Sequence, residues 1–431
     1  MKFYDAPELR LRPDPTRVVI RPFRPAPEPR DLNPLDKNRA GRIVERVLGL
    51  DPERAASHLA GVMEHFDAHH RELACILDAS AAKMDDAFPE RAAFDEDHRR
   101  LVGAYFLHEY AFEAAALFNP SIVPHPDQAG CAPGALRFVL SLRAVGEGHV
   151  SSLAFRTGEI GADGAIVLEP GASLATLPVV SARDAVPEGD AVTVVFAPET
   201  AMSERTVFPV TYAQSNGIED ARFVRFEDGA TPRFLATYTA YSGRAIRSEL
   251  IETADFREFR MTPLRGTAAR NKGMALFPRR IDGRFAMIAR HDNENLHLVL
   301  SDDLLVWNDG RFVLGPRYPW EFVQIGNCGS PIELDEGWLL LTHGVGPMRK
   351  YSIGAALLDK ADPSFVLART REPLIRPEMF ERNGYVPNVV YTCGAIRHGA
   401  NLIVPFAISD AYTRFARIPI AELLAGMRDD G

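Results

Sequence analysis

Two acidic stretches hold residue types able to do acid–base chemistry. Gly217-Ile218-Glu219-Asp220-Ala221-Arg222 follows the polar run Gln214, Ser215, Asn216 and precedes the largely apolar run Phe223 to Phe226. Gly326-Asn327-Cys328-Gly329-Ser330-Pro331-Ile332-Glu333 is rich in small residues, which let a backbone approach a ligand closely, and it ends on an acid. Paired carboxyl groups can cleave a glycosidic bond, one protonating the leaving oxygen while the other activates water from the opposite face, about 6.5–9.5 Å away when the reaction inverts. Taken alone, an Asp beside an Arg reads first as an ion pair, and Glu333 reads equally well as an exposed turn acid.

Other chemistry-bearing patterns are weaker. His108-Glu109-Tyr110 lacks the second His of a zinc helix, since Phe112 stands in its place. His65 and His69 are spaced to share a helix face but have no third ligand, so with His70 they read as a solvated face and no metal is expected. Gly146-Glu147-Gly148-His149 is too poor in glycine for a dinucleotide loop, and neither a Walker sequence nor a Gly-x-Ser-x-Gly elbow occurs.

The elements that must position the acids show a repeat. Phe138–Arg143, Phe234–Thr239, Phe285–Arg290, Trp338–His343 and Leu402–Ala407 are apolar runs of six, often preceded by turn pairs such as Asp282-Gly283 and Glu336-Gly337. The last four start 51, 53 and 64 residues apart (234, 285, 338, 402), near the 40–50 residues of a four-stranded blade. The reading is a mainly β chain, a five-bladed β-propeller at 119–431. Its repeats end on Arg143, Thr239, Arg290, His343 and Ala407. Three of these five are Arg or His, which suits a polyol or anion site around a channel.

Ahead of the repeats, residues 1–33 are rich in Pro and Arg and read as an extended arm. Residues 34–118 read as an α-helical extension, with Ile43, Val44, Val47, Leu48 and Leu59, Val62, Met63, Phe66 at helical spacing. Asp51-Pro52 marks a helix start, and a third helix is expected from Glu96 to Leu117. This extension could cap the larger domain or build a homo-oligomer. A net charge of −9 argues against a nucleic-acid partner but leaves a neutral sugar open. Four scattered cysteines, no apolar signal at the N-terminus and no membrane-length apolar run lead to the expectation of a cytoplasmic protein without a membrane partner.

Several stretches together resemble glycoside hydrolase family 130, the β-mannoside phosphorylases and related β-mannosidases. They are Phe118-Asn119-Pro120-Ser121, Gly217 to Arg222, Asn271 to Pro278, Ile288-Ala289-Arg290, Gly337-Trp338-Leu339-Leu340 with Thr342-His343-Gly344-Val345, and Ala355-Ala356-Leu357-Leu358-Asp359. The resemblance implies a five-bladed propeller and an inverting reaction on β-mannoside oligosaccharides. It makes Asp220 the general acid, acting in the family through a hydroxyl of the mannose. It puts Asn119, Arg143 and Arg222 near the bound mannose, with Tyr238 as a further substrate-binding candidate. Lys272, Arg290 and His343 fall where the family's phosphorylases hold inorganic phosphate, the co-substrate; no other cofactor is implied.

One departure matters. Glu333 occupies the loop where phosphorylases tend to carry a further Lys. A carboxylate repels a phosphate dianion but suits a base that activates water. The sequence therefore reads first as an inverting β-mannosidase, with Asp220 as acid and Glu333 as base. The alternative is an inverting β-mannoside phosphorylase releasing mannose 1-phosphate; a second alternative is a non-catalytic sugar-binding propeller.

Overall fold

The structure is a computed structural model describing residues 2–4, 9–26, 39–85, 95–187, 189–229, 233–378 and 384–429. Two compact units emerge: one of residues 1–15, 112–172 and 177–431, the other of residues 16–111 and 173–176. The fold is mainly β.

Among the described residues the smaller unit holds four α-helices, α1 (Arg39–Leu48), α2 (Pro52–Phe66), α3 (Leu73–Asp85) and α4 (Glu96–Tyr105). The Asp51 carboxylate caps α2 by accepting from the Arg54 amide at 3.0 Å, with Pro52 in its first turn as expected. Val44, Val47, Leu101, Val102 and Phe106 form one apolar core and Leu59, Leu73 and Leu77 another. Helix α4 packs closely on α3 because Gly103 has no side chain; a Cβ there would lie 2.4 Å from the Leu77 carbonyl oxygen. The helix expected to reach Leu117 stops at Tyr105. The strand Leu107–Tyr110 follows, paired antiparallel with Val19–Pro22, so a segment distant in sequence satisfies its backbone groups. Part of the expected arm, residues 27–33, lies outside the described residues.

In the larger unit all five apolar runs are strands or strand-ending segments. They belong to Leu136–Val145, Arg233–Tyr241, Phe285–Ala289, Trp338–Gly346 and Asn401–Ile408. Each is the second strand of an antiparallel group arranged in chain order. The first group runs Ala116–Pro124, Leu136–Val145, Ser151–Ile160, Ile166–Leu168. The second runs Gly217–Phe226, Arg233–Tyr241, Ile246–Thr253, Glu258–Pro263, extended at its edge by Gly189–Val195 and Val179–Val186. A single parallel register, Gly217 beside Ser151, joins these two groups into one sheet. The third and fourth groups follow the same order, and the fifth is completed by the N-terminal strand Lys2–Tyr4 on Tyr412–Pro419.

The core lies between neighbouring groups. Phe155, Phe223, Phe234, Phe256 and Phe259 pack between the first and second, while Phe277, Trp338, Leu340 and Ile288 pack between the third and fourth. Burial on both faces explains why the repeat reads as unbroken apolar runs rather than alternating ones.

Candidate active site

Two β-bulges create the site. Between Phe118 and Ser121, and again between Glu219 and Arg222, the register slips on the neighbouring strand. Each bulge contains a non-glycine residue in the left-handed region, Asn119 with φ 47° and Asp220 with φ 53°. Such backbone is costly for an L-residue and re-aims its side chain out of the ladder. Here the two re-aimed side chains meet, Asn119 Nδ2 donating to Asp220 Oδ1 at 2.7 Å. The Asn119 bulge is held from the fifth group, where the Cys393 amide and the Thr392 hydroxyl both donate to the Pro120 carbonyl. Ser121 Oγ accepts from the Phe223 amide at 3.0 Å and so ties the two bulged strands together.

Asp220 lies among cations. Arg143 Nη1 donates to its Oδ1 at 3.3 Å while Arg143 Nη2 reaches Glu219 at 2.8 Å and Nε reaches Ser151 Oγ at 2.9 Å. Arg222 donates to the Asp220 carbonyl at 3.0 Å and to the Tyr391 hydroxyl at 2.8 Å. Lys272 Nζ stands 4.0 Å from Glu219. Burial alone would push the Asp220 carboxyl up, but Arg143, Arg222, Lys272 and the Asn119 amide together hold it below the ordinary carboxylate range.

A second layer joins the strand ends. Asn327 Nδ2 donates to the carbonyls of Gly273 (2.7 Å) and Ile288 (3.1 Å), linking the loop of Lys272 to the strand that ends beside Arg290. His343 Nδ1 lies 3.1 Å from the Asn327 carbonyl, an acceptor only, so that nitrogen carries the proton and Nε2 remains a lone-pair acceptor. Burial, with Arg290 and Arg222 nearby, drives the His343 imidazole well below its usual range and keeps it neutral. His343 has room because residue 326 opposite it is glycine; a Cβ there would sit 2.2 Å from the ring. Its ring stacks on Tyr351 and tilts against Tyr391, with centroids 5.8 and 4.8 Å away.

Arg290 is buried, and burial together with the like charge of Arg222 lowers its guanidinium. Among the described residues, Arg290 Nη1 and Arg222 Nε have no hydrogen-bond partner. Two neighbouring buried guanidinium groups with donors to spare can receive an anion.

The structure thus brings together Asp220, Asn119, Arg143, Arg222, Lys272, Arg290 and His343. It does not bring Glu333 to them. Glu333 is held by Arg279 through two hydrogen bonds, 2.9 and 2.8 Å, with Lys360 at 3.5 Å. It pairs with Trp338 on the ladder, and His343 lies five residues further along that strand, roughly 17 Å at the usual rise. The small residues before Glu333 serve the His343 end instead. Tyr238 also stands apart: it is buried, its hydroxyl bonded to the Glu249 carboxylate and to Gln214 Nε2 at 2.8 Å.

Two neighbours of Asp220 carry no motif. Tyr391 sits in a two-residue strand, and Asp410 in a turn where Ser409 and Asp410 both have positive φ. Burial and the negative charge of Asp220 push the Asp410 carboxyl up to about 7, against the pull of Arg143 and Arg349. The lone signal for Asp410 in the sequence is a polar pair interrupting the fifth apolar strand. Among the described residues no group of three or more His, Cys, Asp or Glu side chains could hold a metal ion, and no helix is long and apolar enough to cross a membrane.

A beta-1,2-mannobiose phosphorylase of Listeria innocua is 33% identical over 228 residues, 51% of this chain and 62% of that protein. A 1,2-beta-oligomannan phosphorylase of a Thermoanaerobacter species is 35% identical over 188 residues, 43% of this chain and 62% of its own length. The chain therefore spans under two thirds of these curated relatives. The solved structure of the Listeria innocua enzyme in complex with beta-1,2-mannobiose superimposes with a TM-score of 0.51 at 23% identity, covering 72% of this chain and 92% of the other, a likeness of fold. The family model described as beta-1,4-mannooligosaccharide phosphorylase matches residues 197–429, more than half of the sequence, and the chain belongs to glycoside hydrolase family 130.

Proposed function

We propose that this chain is an inverting β-mannoside phosphorylase built on a five-bladed β-propeller at residues 119–431. Five antiparallel groups in chain order, with the N-terminal strand completing the last, support the propeller reading. The observation that carries the activity is the pair of buried guanidinium groups, Arg222 and Arg290, each with an unpartnered donor and both close to His343, with Arg222 also beside Asp220. Such a cluster suits a phosphate dianion, which a hydrolase has no need to hold.

In this reading a phosphate oxygen attacks the anomeric carbon of a β-linked mannose. The bond to the leaving oxygen breaks, and that oxygen takes its proton from a hydroxyl of the mannose, which Asp220 reprotonates. The products are mannose 1-phosphate of inverted configuration and a sugar shortened by one unit. Asn119, Arg143 and Arg222 orient the mannose and the acid, and Lys272, Arg290 and His343 hold phosphate, with His343 Nε2 accepting from a protonated oxygen.

Asp220 must be protonated to act, yet the free site holds it ionised. Phosphate resolves this, because its charge offsets the cations that depress the carboxyl and lifts its proton affinity. Asp410 shares the same field, its carboxyl pushed up to about 7 by burial and by the negative charge of Asp220.

Hydrolysis, which the sequence placed first, rested on Glu333 as base, and that carboxylate is committed to Arg279. The relatives are likewise named as phosphorylases. The deciding assay incubates the protein with β-1,2- and β-1,4-mannobiose, with and without phosphate. Mannose 1-phosphate formed only with phosphate is the expected result; free mannose at the same rate in phosphate-free buffer overturns it.

A further inference from the structure

At the end of the second group where the Asp220 bulge begins lies a cavity of about 380 Å3 that the reaction above does not use. That volume falls within the usual range for small-molecule sites. Its walls come from three connections: the turn at Tyr212 and Ala213, the hairpin from Ser242 to Arg247, and the segment from Leu264 to Arg270.

All three lie at the Asp220 end of the second group. Gly217 pairs with Tyr241, Tyr241 with Ile246, and Glu249 with Pro263, so the hairpin tip and the start of the Leu264 segment share the end where the Glu219–Asp220 bulge begins. The Gly243 backbone packs against Asn216, immediately before that bulge. Arg270 is two residues from Lys272, at most about 7 Å of chain, and Lys272 reaches Glu219.

The cavity is built rather than incidental. Beneath it, the buried Glu249 carboxylate binds Arg247, the Tyr238 hydroxyl and Gln214 Nε2. Gln214 closes the turn that carries Tyr212, its Oε1 accepting from the Val210 and Thr211 amides at 3.0 and 3.2 Å. One buried network therefore sets both Arg247 and the Tyr212 turn. Above it the chemistry is open. Tyr212 is 78% exposed, and neither its hydroxyl nor the Arg270 guanidinium has a partner among the described residues. An unshielded aromatic face beside Leu264 and Ile246, with planar donors at the rim, matches a pyranose ring, apolar on its faces and hydroxylated at its edge.

We propose that this cavity is a distal sugar subsite, bounded by Tyr212, Arg247 and Arg270, that receives a unit beyond the two joined by the cleaved bond. The chain then prefers oligosaccharides of three or more units to disaccharides. The proposal rests on the β-mannoside reading, and its test is separable from it. Binding of β-1,2- and β-1,4-linked mannosides of two, three and four units to the full chain is measured by calorimetry, alongside phosphate-dependent turnover. The trisaccharide of one series is expected to bind about tenfold tighter than its disaccharide. Tyr212→Ala and Arg270→Ala should each erase most of that gain while leaving disaccharide binding and kcat/KM within about twofold, and Tyr212→Phe should keep it. Equal binding of two- and three-unit sugars, or variants that weaken both lengths alike, overturns the subsite. If no sugar turns over but the length preference and its loss in the variants persist, the proposed reaction fails and the subsite stands.

Discussion

Asp220 and Glu333 are both carboxylates held by arginine, yet the two regions have different physics. Glu333 faces one dominant partner, Arg279, in a matched fork about one third exposed. Its carboxyl is held down mainly by the Arg279 hydrogen bonds, and the pair is complete in itself. Asp220 sits on a strained bulge, largely buried and shared among Arg143, Arg222 and Lys272, with donors left over on Arg222 and Arg290. A satisfied pair on the surface is structure, whereas a buried cluster with surplus positive charge is poised for a ligand.

The sharpest way to break the contrast is substitution of each acid. Asp220→Asn is expected to lower kcat/KM by about 10³-fold, within the span of lost general-acid catalysis, with mannobiose affinity retained. Steady-state kinetics on β-mannobiose with saturating phosphate measure it, and a loss under tenfold refutes the assigned role. Arg290→Ala comes next. The KM for phosphate should rise at least about tenfold, the scale of a lost charge-assisted contact, while binding of the sugar without phosphate changes little. Equal effects on both ligands would make Arg290 a structural residue.

Within the Asp220 cluster, the pH behaviour of Asp220 and its neighbour Asp410 should diverge. Asp410 has a folded pKa raised to about 7, above its unfolded value near 4. Its folded form binds the extra proton, so its contribution to stability is complete below pH 4 and lost as pH rises through 7. Asp220, depressed, behaves oppositely: its contribution is present above pH 4 and lost as pH falls further. Asp410→Asn should therefore flatten the decline in Tm between about pH 4 and 7, as scanning calorimetry across that range can show. An unchanged slope removes Asp410 from the cluster.

The smallest effect belongs to Glu333→Gln, which should cost about 0–1 kcal/mol of stability, as for exposed ion pairs generally. Its kcat/KM should stay within about threefold of the unsubstituted protein. A loss near that of Asp220→Asn would return Glu333 to the active site and hydrolysis to first place.

Much of the site was legible because its residue types recur at repeat positions. Arg143, Arg290 and His343 end apolar runs where a structural strand could have stayed apolar, and the structure collects all three around Asp220. Tyr391 and Asp410 were not legible, since a buried Tyr and a turn Asp are ordinary until the chain brings them to a charged neighbour. Glu333 misled for a related reason: its register opposite Trp338, and the Arg279 fork 54 residues away in sequence, exist only in the folded sheet.

Local pattern by itself determined the strands, the cap at Asp51 and the residue types available at the strand ends, because period, turn chemistry and burial act over a few residues. Tertiary structure decided which carboxylate is poised. Two one-residue slips in register turned Asn119 and Asp220 toward each other, and Glu333, set opposite Trp338 far along the strand from His343, was claimed by Arg279 from 54 residues away. Such slips are set by how neighbouring strands pair, and the charge field that separates an acid from an ion pair exists only once those strands have met.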